Sequence, residues 1–353
     1  MIHVSQANHL DLTILVPIFD RHVFMPRCLR NLEALSGLAY FVFVDSGENP
    51  YDPREINRHL PTGSFEFLYF GVDRSTNDNH KKLLRAVSRC NTKYVLRIDN
   101  DDIIDPRNVA RIVNFLDENS DYVAARGQIS GFELHHPLPY GRVTLLHAAY
   151  HRDDALKDLS AENLGTRFIA AFTDGGVNEY YSVWKRENLT NLYRLLGELT
   201  FEWGHPYPEM IFQTAALTQG RIAHLENHCH LHRQGRTSLR IYKALRLFEE
   251  NKAATDARNS EMAIKDLIEP TITSEDAKSL FWDWYRRREA HENRKFPRIR
   301  NDLTEKRFDV NSSNDCVEDI RGEFLEHNKN LLAEHRKTHL DLEGLSYLVS
   351  IVS

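Results

Sequence analysis

The sequence lacks the marks of a secreted or membrane-spanning protein. Its four cysteines, among 353 residues, are scattered and form no Cys-x-x-Cys pair, which favours a reducing compartment. No apolar run is long enough to cross a bilayer, and residues 1–8 are too polar to begin a secretory signal. These absences together predict a cytoplasmic location.

An excess of positive charge is also missing. The formal net charge is −6, so we expect no nucleic-acid partner. With 41% hydrophobic and 27% charged residues, the composition is that of an ordinary globular protein. A length of 353 residues is enough for one large core or for one core with an appendage.

The first half of the chain alternates short apolar runs with amphipathic helical patterns. Strands are predicted at residues 12–16, 40–44, 65–70 and 94–98, and a fifth begins at residue 122. Helices are predicted at residues 25–35, 79–90 and 109–116. This alternation indicates an α/β fold with a mostly parallel sheet covered by helices on both faces. No Gly-x-Gly-x-x-Gly turn follows the first strand, which argues against a dinucleotide-binding domain.

The second half of the chain is less regular and changes character near residue 239. Before that point we predict a strand at 180–184, a helix at 209–218 and a last strand region at 221–231. After it, strand signals stop and charged helical stretches follow. We therefore predict an α/β domain over residues 1–239, with halves at about 10–132 and 133–239, and a helical extension over 240–353.

The most informative stretch is Asp99-Asn100-Asp101-Asp102, which follows the fourth predicted strand. Ligands bind at strand ends in α/β sheets, and clustered carboxylates repel one another unless a cation lies between them. Oxygen ligands of this kind favour Mg²⁺ or Mn²⁺. Asp99 and Asp101 are expected to share one side of an extended segment, with Asp102 pointing elsewhere. The alternative is a plain acidic turn before a helix that Asp105 caps.

This order of elements resembles the GT-A fold of nucleotide-sugar glycosyltransferases and is most similar to the inverting family 2. The resemblance covers about residues 10–240 and rests on five short motifs. They are Val16-Pro17, Val44-Asp45-Ser46-Gly47, Ile98-Asp99-Asn100-Asp101-Asp102, Glu209 at the head of a late helix, and His230-Leu231-His232-Arg233. Each motif is weak alone, and their order and spacing together carry the resemblance.

On the donor side, the resemblance implies distinct roles for these carboxylates. Asp45 hydrogen-bonds the nucleotide base, Asp99 contacts the ribose or reaches the metal through water, and Asp101 ligates Mg²⁺ or Mn²⁺. Asp102 then supports the site. Where the family usually reads Asp-Asp-Gly-Ser, this chain reads Asp-Ser-Gly-Glu from Asp45 on, which leaves the identity of the base open. Further implied nucleotide contacts are Pro17, Lys82, Arg97 and Arg233.

The histidines at positions 228, 230 and 232 alternate, which on a strand points all three rings to one side. One interpretation is a His-x-His zinc site, although no further ligands stand at matching spacing. The other follows from the resemblance, in which a downstream histidine completes the coordination of the metal bound by Asp101. His232 fits that position best, and the alternative ligands are Asp99 and His230.

The catalytic base implied by the resemblance is Glu209, which follows Pro206-Tyr207-Pro208 at the start of a helix. It would take the proton of the acceptor hydroxyl as that oxygen attacks the anomeric carbon. The family's Glu-Asp pair is missing because Met210 follows Glu209. Glu202 and Asp174 therefore stay open as alternative bases.

The resemblance implies a metal-dependent inverting glycosyltransferase. It would move a sugar from a nucleoside diphosphate donor, expected to be UDP-linked, to a hydroxyl of a glycan or lipid-linked acceptor. Surface polysaccharide biosynthesis is the expected setting. One alternative is a sugar nucleotidyltransferase, but that class carries a glycine-rich basic loop where this chain reads Pro17-Ile18-Phe19-Asp20-Arg21. Another is a non-catalytic sugar-binding protein with a degenerate transferase domain.

The helical extension has two features of its own. An aromatic run at 281–285 precedes three arginines at 286–288. We expect the aromatic side chains to pack on the catalytic domain. The alternatives are a peripheral membrane contact at the inner face, a lipid-linked acceptor site or a homo-oligomer interface. The apolar run at 345–352 is expected to dock on its own domain or on another copy.

Overall fold

The computed structural model describes residues 9–19, 21–134, 140, 143–145, 156–173, 175–201, 207–234, 250–305, 347–348 and 350–352. Its strands are β1 Leu12–Ile18, β2 Tyr40–Asp45, β3 Phe65–Tyr69, β4 Tyr94–Arg97, β5 Ile103–Ile104, β6 Tyr122–Leu134, β7 Val143–Leu145, β8 Val183–Lys185 and β9 Arg221–Gln234. Its α-helices are α1 Met25–Glu33, α2 Pro53–Ile56, α3 Thr76–Arg89, α4 Pro106–Glu118, α5 Leu164–Phe172, α6 Arg186–Glu198, α7 Tyr207–Thr218, α8 Glu250–Ile268 and α9 Glu275–Glu305. Short 3-10 helices span His22–Phe24 and Glu179–Tyr181.

The strands of the described chain form one sheet, in the order β3-β2-β1-β4-β8-β6-β9-β5, with β7 paired to β6. β1 to β4 run parallel, and β8 is antiparallel to both of its neighbours, β4 and β6. β1 and β2 are buried on both faces, as their continuous apolar sequences predict. The carboxyl ends of the four parallel strands, at Ile18, Asp45, Tyr69 and Arg97, lie along one edge of the sheet. The predicted α/β fold with a mostly parallel sheet is confirmed.

The helices begin where the sequence supplies caps. Ser75 and Asp78 form a reciprocal capping box at the start of α3. Asp105 caps α4 by accepting a hydrogen bond from the Arg107 backbone N–H, and Pro106 occupies the first turn. Asp105 is therefore the helix cap, and Asp99, Asp101 and Asp102 are not needed for capping.

Several predicted boundaries are wrong for reasons of packing. β1 does not stop before Pro17 but continues through it, with Pro17 opposite Val44 in β2. β4 pairs with β1 only as far as Leu15. Proline has no N–H to donate, and at Pro17 the sheet requires none on the β4 side. The strand predicted at 180–184 is divided between a 3-10 helix and β8. No sequence pattern predicts α5 and α6, which lie in the irregular half of the chain.

The extension helices pack on the α/β domain. Phe281 and Trp284 of α9 are buried against Phe168 and Phe172 of α5, with ring centroids 4.6–5.8 Å apart. The other helix of the extension, α8, packs against α7. The expected packing of this aromatic run is therefore confirmed. The boundary predicted at residue 239 lies outside the described residues. In the described part of the chain, no helix combines the length and the apolar character needed to cross a membrane.

The C-terminal apolar run docks on its own chain, as one of the two expectations had it. Leu348, Ile351 and Val352 form a small buried cluster with residues of β5, β6 and β7. The Asn31 side chain of α1 donates a 2.8 Å hydrogen bond to the Tyr347 hydroxyl and also bonds to the backbone of β5. The end of the chain thus covers the strand that directly follows the acidic turn.

Candidate active site

The residues after β4 form a tight turn at the strand-end edge of the sheet. The Asp102 backbone N–H donates to the Asp99 carbonyl oxygen, 3.1 Å away, so the segment is not extended. Asp99, Asp101 and Asp102 each place a carboxylate oxygen within 4.8 Å of the others. The expectation that Asp102 points elsewhere is therefore wrong, because the turn brings all three carboxylates together.

Guanidinium groups surround this acidic turn. Arg21 Nη1 lies 2.6 Å from Asp101 Oδ2, and Arg97 Nη2 lies 2.8 Å from Asp99 Oδ1. Arg233 also interacts electrostatically with Asp99. Burial alone would raise the pKa of Asp99, but the charges of Arg97 and Arg21 outweigh burial and lower that pKa. Asp99 is therefore ionised at neutral pH.

Asp102 has a different environment from its neighbours. Its Oδ1 accepts a 3.2 Å hydrogen bond from the Gln234 backbone, while its buried Oδ2 accepts none from the described residues. Burial and the adjacent carboxylate of Asp101 raise the pKa of Asp102 well above its ordinary value. An all-oxygen group with an unsatisfied buried carboxylate oxygen suits a hard divalent cation. The residues present therefore fit the Mg²⁺ or Mn²⁺ that the resemblance implies.

His232 lies beside the acidic turn. In the pairing of β5 with β9 it stands opposite Ile103, the residue that follows Asp102. Its Nδ1 lies 2.5 Å from the Ser130 hydroxyl oxygen, which orients the ring. The ring is not part of the group of ligand atoms that lie within 4.8 Å of one another. His232 is therefore a neighbour of the predicted metal site, and its role as a ligand stays a prediction.

His230 lies in the interior of the sheet. Its two ring nitrogens lie 2.8 and 3.1 Å from the backbone carbonyl oxygens of Tyr181 and Gln128. Burial lowers the pKa of His230 to about 4, so the ring is neutral. Among the described residues, the alternating histidines belong to no group of three close metal ligands, and the zinc interpretation has no support there.

Asp45 ends β2 and organises the loop that follows. Its carboxylate accepts hydrogen bonds from the backbone N–H groups of Gly47, at 2.8 Å, and Tyr51, at 2.6 Å. Burial would raise the pKa of Asp45, but the His22 ring and these two N–H groups lower it. The side chain is fully buried. The loop contacts are therefore observed, and the contact with a nucleotide base stays a prediction.

Lys82 lies in a buried network beside that loop. Its ammonium group is 2.8 Å from the Asp73 carboxylate and also donates to the Ser46 hydroxyl, which donates in turn to Asp73. Lys82 is only 3% exposed, so its charge serves to join the loops that follow β2 and β3. Nucleotide contacts for Lys82 and for the half-buried Pro17 stay predictions.

Glu209 is the third residue of α7 and is partly exposed, at a helix terminus whose dipole favours a carboxylate. Tyr180 interacts electrostatically with both Glu209 and Asp99. Tyr180 also stacks on an aromatic ring of α7, with centroids 4.0 Å apart. The alternative bases Glu202 and Asp174 lie outside the described residues.

A family match agrees with this geometry. Residues 13–172 match the model of the family described as Glycosyl transferase family 2. Over this range the chain is similar to a family 2 glycosyltransferase domain. The predicted enzyme class, a nucleotide-sugar glycosyltransferase with the GT-A fold, is thereby confirmed. The matched range contains Asp45 and the acidic turn, and it ends before Glu209 and His232. No curated protein sequence matches the chain significantly.

Solved structures of S. aureus TarS are similar to this glycosyltransferase. TarS 1-349 in complex with UDP-GlcNAc has a TM-score of 0.51 at 12% identity, covering 96% of this chain and 90% of that one. TarS 1-349 in complex with UDP has a TM-score of 0.50 at 12% identity, covering 97% and 88%. A further TarS structure has a TM-score of 0.41 at 15% identity, over 70% of this chain, and this chain spans only 42% of that one. At these identities the likeness shows the fold.

Arg21 and Tyr181 contact the acidic turn, and neither was predicted from the sequence to be a site residue. Arg21 follows the first strand and reaches Asp101, and a cation so close to a strand end is a signal that could have been used. The Tyr181 hydroxyl donates a 2.8 Å hydrogen bond to Asp99 from 82 residues away along the chain. The pairing of β8 with β4 brings the segment that carries Tyr181 to the glycosyltransferase site, and no local sequence pattern predicts that pairing.

Proposed function

We propose that this glycosyltransferase is metal-dependent and inverting, and that its donor is a UDP-linked sugar. The observation that carries the proposal is the turn of three carboxylates after β4, within a family 2 domain. The two similar TarS structures contain UDP and UDP-GlcNAc, which supports a UDP-linked donor here.

On the donor side, we assign Asp101 and Asp99 as the acids that hold Mn²⁺ or Mg²⁺, with His232 beside them. When bound, the cation neutralises the diphosphate and makes it a better leaving group. Arg97 and Arg233 lie around the same turn, and their planar guanidinium groups suit phosphate oxygens. Asp45, Pro17 and Lys82 line or support the loops where the base and ribose are proposed to bind.

Glu209 is the proposed catalytic base. It accepts the proton of the acceptor hydroxyl while that oxygen bonds to the anomeric carbon. The bond from the anomeric carbon to the diphosphate oxygen breaks on the opposite face, so the configuration inverts and the nucleoside diphosphate leaves. The place of Glu209 in the first turn of α7, and the electrostatic interaction of Tyr180 with both Glu209 and Asp99, support this assignment. Glu202 and Asp174 are kept as alternative bases.

For the acceptor we propose a hydroxyl of a glycan or of a lipid-linked glycan, in surface polysaccharide biosynthesis at the cytoplasmic face of the membrane. The resemblance to family 2 supports this part of the proposal. We also propose that residues 1–239 form the transferase domain and 240–353 the extension. The burial of Phe281 and Trp284 on α5 indicates an extension that supports the domain rather than one that faces a membrane.

The test is donor hydrolysis with a panel of nucleotide sugars. The protein is incubated with UDP- and GDP-linked sugars and Mn²⁺, with and without a chelator, and the released nucleoside diphosphate is measured. We expect slow release of UDP from at least one UDP-sugar without acceptor, and its loss with the chelator. Release of pyrophosphate from a nucleoside triphosphate and a sugar phosphate would favour a nucleotidyltransferase. The proposal fails if no nucleotide binds in the presence of Mn²⁺.

A further inference from the structure

The 3-10 helix Glu179–Tyr181 lies between the acidic turn and the start of α7. From it, the Tyr181 hydroxyl donates a 2.8 Å hydrogen bond to Asp99 Oδ2, while Arg97 holds the other carboxylate oxygen at 2.8 Å. The two oxygens of Asp99 are therefore fixed by two different elements. A carboxylate held at both oxygens keeps one orientation, which is what a metal-binding or ribose-binding acid requires.

The ring and the backbone of Tyr181 make two more contacts with predicted site residues. The Arg233 guanidinium lies over the Tyr181 ring, 4.6 Å from the centroid. The Tyr181 carbonyl oxygen lies 2.8 Å from His230 Nε2. A guanidinium held over a ring face is confined in position, which favours binding a phosphate through paired N–H groups. One tyrosine thus contacts a residue of the turn after β4 and a residue of β9 that the proposed donor site needs.

The 3-10 helix is itself held by a buried carboxylate, Glu179, which is fully buried. The Ser182 hydroxyl donates to Glu179 Oε2 at 2.5 Å, and His224 Nε2 lies 2.8 Å from Oε1. The Trp184 indole N–H donates to the Glu179 carbonyl oxygen at 2.9 Å. Arg126 lies 3.4 Å from the same carboxylate and supplies a permanent positive charge. Such a fully bonded buried network gives its segment a single position.

We propose that Tyr181 is a positioning residue of the donor site, where its hydroxyl orients the Asp99 carboxylate and its ring orients the Arg233 guanidinium, and that Glu179 fixes the segment that carries it. This inference rests on the proposed function, since it concerns the binding of a divalent cation and a nucleoside diphosphate. Tyr181 acts on the donor through Asp99 and Arg233.

The experiment compares Tyr181→Phe with the unaltered protein by titrating Mn²⁺ in the presence of UDP and following free Mn²⁺ by electron paramagnetic resonance. Tyr181→Phe removes only the hydroxyl and keeps the ring beneath Arg233. We expect about 10- to 100-fold weaker Mn²⁺ binding, as for other residues that orient metal ligands. With donor hydrolysis as a second readout, the KM for Mn²⁺ rises by a similar factor, while kcat at saturating Mn²⁺ changes by less than about threefold.

The matched control is Tyr94→Phe. Tyr94 is also buried, and its hydroxyl also donates to an aspartate, Asp117, at 2.9 Å, but it stands at the opposite end of β4. Loss of this hydroxyl should leave Mn²⁺ binding unchanged. A second variant, Tyr181→Leu, removes the ring as well and should weaken UDP binding further than Tyr181→Phe, because Arg233 loses its support.

The outcomes separate the inference from the function. If the unaltered protein binds no Mn²⁺ with UDP, the proposed function fails and the inference fails with it. If the unaltered protein binds and Tyr181→Phe binds within threefold of it, only the inference is overturned. An equal loss in Tyr181→Phe and Tyr94→Phe would also overturn it, because the effect would then be one of general stability.

Discussion

The guanidinium of Arg21 forms an ion pair with the carboxylate of Asp101, with Nη1 2.6 Å from Oδ2. The side chain of Asn100 holds the Arg21 backbone in place through a 2.9 Å hydrogen bond to its carbonyl oxygen. Both charged side chains are largely buried, at 15% and 5% exposed. The positive charge beside Asp101 is therefore supplied by the protein itself, and a bound divalent cation has to share the carboxylate with it or displace it.

Replacement of Arg21 should tighten metal binding and weaken the metal-free fold. In Arg21→Gln the competing charge is gone, and we expect Mn²⁺ to bind about tenfold more tightly in the absence of nucleotide. Without metal, the loss of a charged hydrogen bond should cost about 1.5–3 kcal/mol of unfolding free energy. Titration calorimetry and thermal unfolding with and without Mn²⁺ measure the two effects.

The control for this variant is Arg89→Gln, which removes the same charge from an exposed pair with Glu66 at the surface. It should change Mn²⁺ affinity by less than twofold and leave the midpoint of thermal unfolding close to that of the unaltered protein. Weaker Mn²⁺ binding by Arg21→Gln than by the unaltered protein would show that Arg21 does not compete with the cation.

Loss of the central acid should remove metal-dependent nucleotide binding. We expect Asp101→Ala to abolish the Mn²⁺-dependent part of UDP binding. The variant removes one of the three carboxylates that lie close enough to hold one cation, and only Asp99 and Asp102 remain. Calorimetry with UDP and Mn²⁺ measures this. Asp117→Ala, at an exposed acid near the end of α4, is the control and should bind as the unaltered protein does. Retained binding by Asp101→Ala would move the metal site elsewhere.

The proposed base can be separated from donor binding. Glu209→Gln keeps the shape of the side chain but cannot accept a proton, so transfer should fall by about 10²–10⁴-fold while donor binding stays within a few-fold. Glu198→Gln, at the exposed end of α6, should leave both unchanged. Unchanged transfer by Glu209→Gln would reassign the base to Glu202 or Asp174.

The buried Glu179 network should make stability depend on acid pH. Burial alone would raise the pKa of Glu179, but His224 and Arg126 outweigh burial and lower that pKa from 4.5 to about 2. As the pH falls, the unfolded state therefore takes up this proton at a higher pH than the folded state does. The contribution of the charged Glu179 to the free energy of unfolding is complete above pH 4.5 and is lost as the pH falls toward 2.

Urea unfolding of the unaltered protein and of Glu179→Gln at several pH values measures this contribution. The difference in unfolding free energy between them should be largest near pH 6 and should shrink as the pH is lowered to 3. A difference that stays constant over that range would mean that the Glu179 carboxylate is not held in its charged form by the network.

Two glycines allow a test of how tightly the extension packs. A Cβ at Gly176 would lie 2.9 Å from the indole of Trp284, which is itself buried against Phe172. Gly176→Ala should therefore destabilise the protein by about 1–3 kcal/mol. Gly197→Ala, in α6, meets only Lys81 at 3.6 Å and should stabilise the protein by about 0.5–1 kcal/mol. Chemical unfolding of both variants checks the pair, and equal effects would contradict the packing described.

The parts of the fold that the sequence predicts are those with local causes. β1 to β4 are short, mostly apolar runs, of which β1 and β2 are buried on both faces. The acidic turn follows directly from the end of β4, so the local sequence is enough to identify both the strands and the turn. The same holds for Asp105, whose cap needs only the residues that follow it. The candidate metal acids could be named for this reason.

The parts that the sequence does not predict depend on distant pairings. The antiparallel insertion of β8 between β4 and β6 has no local signal, yet it alone brings Tyr181 to Asp99. The direction of Asp102 was missed because a tight turn breaks the two-residue alternation assumed for an extended segment. Likewise, Asp45 and Lys82 are surrounded by loops, and no residue pattern predicts where the groups of those loops lie.

The hydrogen bond between Asn31 and Tyr347 joins positions 316 residues apart in the chain. During synthesis, β5 and its neighbours can receive their last covering only after Leu348 and Val352 have left the ribosome. At ~5–20 residues per second, this delay lasts tens of seconds. Through that interval the nascent sheet presents an uncovered apolar surface beside the unfinished acidic turn. That surface is where a chaperone would be expected to bind, and where a chain interrupted in translation would aggregate first.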